Sequence, residues 1–120
     1  MMRQREEVIR TWFDMWQGDD MSPLGAVFAE SIEYTEFDGS VHRGLEAVRD
    51  WFIRWHRGNK ITLWEATEFL HQNDKTVAFW RFEGEGEAGA ERKFDGACVA
   101  EWDKDGRICN LREYMSEPKG

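Results

Sequence analysis

The sequence predicts an α+β domain in which a curved, mixed but mostly antiparallel sheet wraps around three helices to form a cone. Apolar residues recur at helical spacing in the first half of the chain, and alternating segments fill the second half. A length of 120 residues suits one hydrophobic core. Because helices that precede a run of strands must cover one sheet face, we expect a single domain over residues 1–120 with a cavity beneath the helices.

The first element is an amphipathic helix over residues 3–17. Its apolar stripe consists of Val8, Ile9, Trp12, Phe13 and Trp16. Residues 18–20 end this helix with glycine and two aspartates. Ser22 and Pro23 then predict the start of a short second helix, since serine caps helices and proline favours their first position.

Residues 31–37 alternate and predict the first strand, which places Tyr34 and Glu36 on one face. A third helix follows from about residue 45 to residue 57. Its apolar side consists of Leu45, Val48, Trp51, Phe52 and Trp55. A basic last turn and Gly58 mark its end.

The remainder predicts an antiparallel meander of four strands. Turn residues separate the alternating segments, which are residues 60–70, 75–85, 91–102 and 107–115.

Composition limits the possible partners. A net charge of −8 argues against nucleic acid and anionic membranes, which both require a basic surface. No apolar run approaches the roughly 20 residues of a membrane span. Cys98 and Cys109 form no metal or redox motif, so we expect free thiols, no metal, no cofactor and a cytoplasmic protein.

Strand parity predicts which side chains face the cavity. On the last two strands the inward set consists of Phe94, Gly96, Cys98, Ala100, Trp102, Cys109, Leu111, Glu113 and Met115. The small members of this set, at positions 96, 98 and 100, would leave room for a ligand. On the strand over residues 75–85, we expect Phe79, Arg81 and Glu83 to face inward and Trp80 and Phe82 to face outward.

Four segments carry a family resemblance: residues 16–19, 27–34, 44–49 and 105–114. Through them nearly the whole chain resembles the SnoaL-like polyketide cyclase family of the nuclear transport factor 2-like superfamily. The resemblance implies the cone-shaped, cystatin-like fold and a homodimer joined through the convex sheet face. It leaves the reaction open, because the superfamily contains isomerases, cyclases, dehydratases, epoxide hydrolases and simple binders.

Two likenesses within the superfamily indicate candidate catalytic residues. The segment over residues 36–40 is similar to the ketosteroid isomerase segment that carries the general base, which implies this role for Glu36. The positions of that enzyme's two oxyanion donors fall on Trp12 and Cys98, and neither donor is retained.

The second likeness is to limonene epoxide hydrolase, whose motifs match residues 34–36, 81–83 and 112–114. By this likeness Glu113 would deprotonate water, Glu83 would protonate the opening oxygen, and Arg81 would link the two carboxylates. Tyr34 begins the first of these motifs. Glu36 replaces an asparagine there and adds a carboxylate.

Elementary chemistry supports acid–base roles for these carboxylates without the likeness. A carboxylate in an aromatic pocket is desolvated, so its pKa rises towards neutrality. Each of these residues also has a purely structural interpretation. Arg81 and Glu83 could form cross-strand ion pairs. Glu113 could make a contact that supports the fold, and Glu36 could be a solvated turn residue. His42, His56 and His71 fit surface positions better than catalytic or metal sites.

We therefore predict a cofactor-free enzyme that hydrates an epoxide, isomerises a substrate or closes a ring by an aldol step. The alternatives are a binding module without chemistry and a dimerisation scaffold whose cone is filled. The expected ligand is a small hydrophobic molecule. Its expected contacts are Trp12, Trp16, Phe52, Trp55, Phe79, Cys98, Trp102 and Leu111. For the convex dimer face we expect Trp64, Ala66, Trp80, Phe82, Val99 and Tyr114.

Overall fold

A computed structural model describes residues 2–116 of the chain. In chain order its elements are α1 (Met2–Gly18), α2 (Leu24–Val27), β1 (Phe28–Thr35), β2 (Val41–Arg43), α3 (Leu45–His56), β3 (Lys60–Gln72), β4 (Lys75–Glu85), a short 3-10 helix (Glu87–Gly89), β5 (Glu91–Trp102) and β6 (Ile108–Ser116). None of the helices within residues 2–116 has both the length and the apolar character needed to cross a membrane.

The strands form one mixed sheet in the order β2-β1-β6-β5-β4-β3. Only β1 and β6 are parallel, whereas every other neighbouring pair among the described strands is antiparallel. This architecture confirms the predicted fold class. β2 was missed because three residues are too few to show alternation. It pairs with β1 across a turn in which Gly39 adopts a φ of 91°.

The core lies between α1, α3 and the inner sheet face, with Trp12 at its centre. The Trp12 side chain is fully buried. Its ring centroid lies within 6.5 Å of the rings of Trp16, Phe28, Tyr34, Trp51 and Phe52. The apolar stripe of α1 therefore holds the helices against the sheet through aromatic contacts.

The faces of β4 are the reverse of those predicted. Trp80 is buried and lies opposite Gly96, whereas Arg81 is exposed and lies opposite Asp95. A Cβ atom at Gly96 would collide with the Trp80 ring and lie 2.5 Å from the Tyr114 carbonyl oxygen. The small residue at position 96 therefore accommodates the protein's own indole, and the expected space for a ligand there is wrong.

The residues of the outer sheet face also differ from those expected, because the two faces of β4 are reversed. Trp64, Ala66, Trp80 and Phe82 lie on the inner face with the core, while Val99 and Tyr114 remain outside. The outer residues form an apolar surface that we call the outer patch, composed of Val77, Phe79, Ala97, Val99 and Tyr114.

Candidate active site

A cavity of about 60 Å³ lies between the helices and the inner face of the sheet. Eight of its twelve lining residues are aromatic, and three are charged. The lining consists of Trp16, Glu36, Phe37, Trp51, Trp55, Ile61, Trp64, Trp80, Phe82, Arg92, Phe94 and Glu113. The cavity is smaller than one that holds benzene, roughly 150 Å³, so it suits a ligand of a few heavy atoms or one end of a larger ligand.

Glu113 is a buried carboxyl group in this lining. It lies on β6 opposite Cys98. The Tyr34 hydroxyl donates a short hydrogen bond to Glu113 Oε2, and Trp12 Nε1 donates to the Tyr34 oxygen over 3.3 Å. A chain of buried donors therefore runs from α1 through β1 to the carboxyl group.

Burial raises the pKa of Glu113 from its ordinary value of 4.5 to about 8. The negative charge of Glu36 raises this pKa further, while the hydrogen bonds from Tyr34 and from the backbone of Phe37 act to lower it. The Tyr34 pKa is also raised, first by burial and then by the charge of Glu113. At neutral pH the Glu113 carboxyl group therefore holds its proton in most molecules.

Glu36 is the second carboxyl group of the cavity, and its environment differs. It follows β1, where its Oε2 lies 2.7 Å from His42 Nε2 on β2. The His42 ring stacks on Trp51 with centroids 4.3 Å apart. Burial raises the pKa of Glu36, and the hydrogen bond and charge of His42 oppose that rise. The expectation that His42 is a surface residue is therefore wrong.

The expected surface position is also wrong for His56 and His71, because both ring nitrogens of each side chain lie within hydrogen-bond distance of a partner. His56 lies 2.8 Å from the Phe52 carbonyl oxygen and 3.0 Å from that of Trp16, which links α3 to α1. His71 contacts the Thr76 hydroxyl and Glu6 Oε2, each over 2.8 Å.

Two carboxyl groups in unlike environments therefore share one aromatic cavity. Such a pair can divide proton-accepting and proton-donating roles, because the two groups give up their protons at different pH. Among residues 2–116, no cluster of three His, Cys, Asp or Glu side chains is arranged to hold a metal ion.

The predicted ligand contacts separate into three groups. Trp16 and Trp55 line the cavity. A second group is buried but lies outside the lining: Trp12, Phe52, Cys98, Trp102 and Leu111. Phe79 is the third case, because it lies on the outer face of β4. The roles proposed for Glu36, Glu113 and Tyr34 stay predictions, with Tyr34 placed behind Glu113 and outside the lining.

The expected inward position is wrong for Phe79, Arg81 and Glu83, which belong to the outer face of β4. Arg81 Nε lies 3.9 Å from Asp95 Oδ1, and Lys93 Nζ lies 3.9 Å from Glu83 Oε1, so the alternative of cross-strand ion pairs describes them better. Burying Trp80 and Phe82 removes more apolar surface from water than burying Phe79 beside two charges.

Trp102 is also absent from the cavity lining. Its Nε1 donates to Thr76 Oγ1 over 2.9 Å, and Thr76 in turn contacts His71, which contacts Glu6. We call Glu6, His71, Thr76 and Trp102 the sealed cluster, because each polar group in it has a partner. It joins α1 to the strands next to the β3–β4 turn.

Sequence reasoning missed seven of the twelve lining residues, which are Phe37, Trp51, Ile61, Trp64, Trp80, Phe82 and Arg92. The available signal was the size of the rings, since the two largest alternating side chains of β4 are Trp80 and Phe82. Arg92 is exposed, and its guanidinium carbon lies 5.7 Å from the Phe94 ring centroid.

A family model described as the SnoaL-like domain matches residues 9–111. The chain belongs to the SnoaL-like domain family. A search by sequence among curated proteins gives no match.

Solved structures similar to this SnoaL-like chain share its fold at low identity. An epoxide hydrolase of the limonene epoxide hydrolase type from M. tuberculosis has a TM-score of 0.82 and 16% identity, covering 95% of this chain and 84% of that chain. A protein with a ketosteroid isomerase-like fold from Catenulispora acidiphila, in complex with trimethylamine, has a TM-score of 0.81 and 18% identity, covering 92% of this chain and 85% of that chain. A protein from Xanthomonas campestris assigned as a polyketide cyclase has a TM-score of 0.77 and 14% identity, covering 95% and 91%. At these identities the likeness establishes the nuclear transport factor 2-like fold.

Proposed function

We propose that this SnoaL-like protein is a cofactor-free enzyme that transfers protons to and from a small, largely apolar substrate. The observation that carries the proposal is the pair of carboxyl groups, Glu36 and Glu113, on one aromatic cavity in unlike environments. Aromatic walls hold the substrate and exclude water, which strengthens the electrostatic effect of each carboxyl group.

In the proposed reaction Glu36 acts as the base and Glu113 as the acid. The Glu36 carboxylate, paired with His42, takes a proton from a substrate carbon, and the electrons of that C–H bond move into the substrate. The protonated Glu113 then delivers its proton to a second substrate atom. Tyr34 is a positioning residue, because its hydroxyl contacts Glu113 and not the cavity.

Proton transfer of this kind corresponds to isomerisation or aldol-type ring closure. Epoxide hydration is the weaker assignment despite the hydrolase among the similar structures. Its motif-based mechanism requires Arg81 and Glu83 beside Glu113, and both lie on the outer face.

Hydrogen exchange into a small carbon acid tests this proposal. Cyclopentanone in D₂O is followed by NMR, with cyclopentene oxide as the parallel probe for epoxide opening. The cavity of about 60 Å³ can take one end of either ring. We expect saturable exchange that falls about 100-fold or more in Glu36→Gln, in line with the usual contribution of a general base. Glu113→Leu should also lose exchange, whereas Glu113→Gln should keep part of it because an amide can still donate a hydrogen bond.

The matched control is Glu83→Gln, which removes a carboxylate from the outer face of the same sheet. This variant should exchange cyclopentanone at the wild-type rate. Wild-type exchange in Glu36→Gln, or hydration of the epoxide without exchange, would show that the proposed roles are wrong.

A second candidate is a binding module without chemistry, and the aromatic lining favours it. Rings surrounding two carboxyl groups can hold an alkylated ammonium ion through cation–π contacts. The Catenulispora relative is described in complex with trimethylamine. Saturable quenching of tryptophan fluorescence by trimethylammonium, in a protein that exchanges no substrate hydrogen, would favour this candidate.

We also propose that two copies of the chain associate through the outer patch. Cross-strand pairing places Val77 beside Val99, and Ala97 between Phe79 and Tyr114, so the apolar groups are contiguous. Tyr114 is half exposed in the single chain, and contiguous apolar surface favours association. Sedimentation should give twice the chain mass for the wild type and one chain for Phe79→Glu; an unchanged mass would contradict this interface.

The cytoplasm remains the proposed location. Its support is the pair of free cysteines, Cys98 and Cys109, which suit a reducing compartment.

A further inference from the structure

Trp12 contributes a polar group as well as a ring to the centre of the core. Its ring is fully buried among other aromatic rings, and packing of this kind requires no N–H group. Its Nε1 atom nevertheless lies 3.3 Å from the hydroxyl oxygen of Tyr34, which is 22 positions away in sequence. By contrast, the indole N–H of Trp16, about one turn later on α1, has no acceptor among residues 2–116. The bond to Tyr34 is therefore not a general property of the tryptophans on this helix.

This contact determines the direction of the next hydrogen bond. An indole N–H can only donate, so the Tyr34 oxygen is the acceptor. The Tyr34 hydroxyl hydrogen then points to its other partner, Oε2 of Glu113. In the reverse arrangement, with Glu113 donating to Tyr34, the tyrosine hydrogen would point to neither of these two partners and would cost free energy in a fully buried position. The bonds from α1 to the carboxyl group therefore run in one direction.

The direction of these bonds decides which oxygen of Glu113 carries its proton. Oε2 accepts the Tyr34 hydrogen, so the proton that Glu113 holds at neutral pH belongs on Oε1. Glu113 lines the cavity, whereas Tyr34 and Trp12 both lie outside the lining. Two residues behind the cavity thus determine the atom from which the proton leaves.

We propose that Trp12 is a positioning residue of this site, whose indole N–H orients the Tyr34 hydroxyl and thereby places the Glu113 proton on Oε1. The inference rests on the proposed function for its meaning in catalysis, although the hydrogen bonds can be measured without a substrate. A donor to the Tyr34 oxygen also polarises its O–H bond, which makes the hydroxyl a stronger donor to an ionised carboxylate. Loss of the Trp12 N–H should therefore favour the protonated form of Glu113.

Several other titratable or charged groups surround Glu113. From β1, the turn after it and β5, these are Tyr34, Glu36, Asp38, Cys98 and Arg92. His42 on β2 contacts Glu36 and so acts on Glu113 through that residue. A replacement that removes one indole N–H leaves each of these groups in place, so a change in the Glu113 titration reports the hydrogen bond.

The experiment replaces Trp12 by benzothienylalanine, in which sulfur takes the place of the indole N–H and the shape of the ring is kept. The ¹³C signal of the Glu113 carboxyl group, identified by its loss in Glu113→Gln, is titrated against pH. We expect the midpoint to rise by about 0.3 pH units, a gain of about twofold in proton affinity, because polarisation strengthens a hydrogen bond by about 10–30%. Tyr34→Phe removes the whole bond and should raise the midpoint by about 1–2 pH units.

Two controls separate the hydrogen bond from packing. The same replacement at Trp16 alters a neighbouring core ring whose N–H has no acceptor among the described residues, so the midpoint should stay in place. In a Tyr34→Phe background the replacement at Trp12 should also leave the midpoint unchanged, because its effect passes through the tyrosine hydroxyl. The alkaline limb of cyclopentanone exchange should move together with the midpoint.

Three results would overturn the inference. An unmoved or lowered midpoint after replacement of Trp12 means that its N–H does not act on the acid. An equal rise after replacement of Trp16 assigns the effect to packing. A rise that persists in the Tyr34→Phe background shows that Trp12 does not act through the tyrosine. Because the midpoints are measured without turnover, a protein whose midpoints move as expected but which exchanges no hydrogen would refute only the proposed function.

Discussion

The sealed cluster and the cavity wall are built from the same kinds of side chain but differ in hydrogen bonding. In the sealed cluster the indole N–H of Trp102 donates to Thr76, and a histidine pairs with a carboxylate. In the cavity wall Glu36 also pairs with a histidine, yet three indole N–H groups have no acceptor among the described residues, those of Trp16, Trp64 and Trp80. One region has its polar partners within the protein, whereas the other keeps buried donors without a protein acceptor among residues 2–116.

This difference indicates which polar groups serve the fold. Buried donors without partners cost free energy, so the three indole N–H groups do not stabilise the fold through hydrogen bonds. The sealed cluster serves stability because it closes its own hydrogen bonds. Variants of the sealed cluster should therefore change stability, whereas variants of the cavity carboxyl groups should change exchange and its pH dependence.

Glu113→Gln should remove a pH-dependent penalty on folding. The folded-state pKa of about 8 lies above the ordinary value of 4.5, so the folded protein holds the proton more tightly. This tighter proton binding stabilises the folded protein in full below about pH 4.5, and the stabilisation is lost as the pH rises through about 8. Between pH 4 and pH 9 the variant should therefore gain about 2–4 kcal/mol relative to the wild type. Urea unfolding at both pH values measures the gain, and parallel pH dependence of the two proteins would contradict it.

Thr76→Val should destabilise the protein without changing the cavity. The variant leaves Trp102 Nε1 and His71 Nδ1 without their partner, at a cost of about 2 kcal/mol. Urea unfolding measures this loss, which should be similar at pH 6 and pH 8. The same preparation should retain wild-type cyclopentanone exchange, and a selective loss of exchange would place the sealed cluster in the active site.

His42→Gln should change the pH profile of exchange more than it changes stability. The exchange rate of the wild type, plotted against pH, should form a bell-shaped curve. Exchange requires an ionised Glu36 and a protonated Glu113, and Glu113 loses its proton as the pH passes about 8. His42 opposes the rise in the Glu36 pKa, so its loss should move the acidic limb of the pH profile to higher pH and lower the exchange rate along that limb.

The alkaline limb supplies the internal control for this variant, since it reports Glu113. It should stay in place, and a shift of both limbs together would mean that His42 acts on the whole cavity and not through Glu36.

Arg81→Gln should have the smallest effect of the series. Its ion pair with Asp95 is solvent-exposed, so the loss in stability should stay below about 0.5 kcal/mol. Cyclopentanone exchange should equal that of the wild type. A large loss of exchange would restore the catalytic role that the outward position of Arg81 argues against.

The helical half of the fold was predictable from sequence because its signal is local. Trp12 and Trp16 recur at helical spacing, and both are buried where that spacing places them. β4 carries large apolar residues on both of its faces, so alternation alone could not choose between Phe79 and Trp80. Register shifts in β3 between Ile61 and Leu63, and again between Ala66 and Glu68, further disturb the parity of that strand.

The candidate site was only partly predictable, because its chemistry depends on contacts distant in sequence. Glu36 and Glu113 were identifiable as carboxylates on inward positions. The bond from Tyr34 to Glu113 joins residues 79 positions apart, and nothing local to either residue encodes it. The pairing of His42 with Glu36 required β2, which was too short to recognise.

The contact between Trp80 and Gly96 bears on how the protein could acquire new substrates. The Trp80 ring occupies space that the missing side chain at Gly96 makes available, directly against the cavity. Shortening Trp80 would enlarge the chamber while leaving Glu36, His42, Tyr34 and Glu113 unchanged. The residue that limits the size of the chamber is thus separate from the residues proposed to transfer protons, so a laboratory evolution experiment could vary one while holding the others fixed.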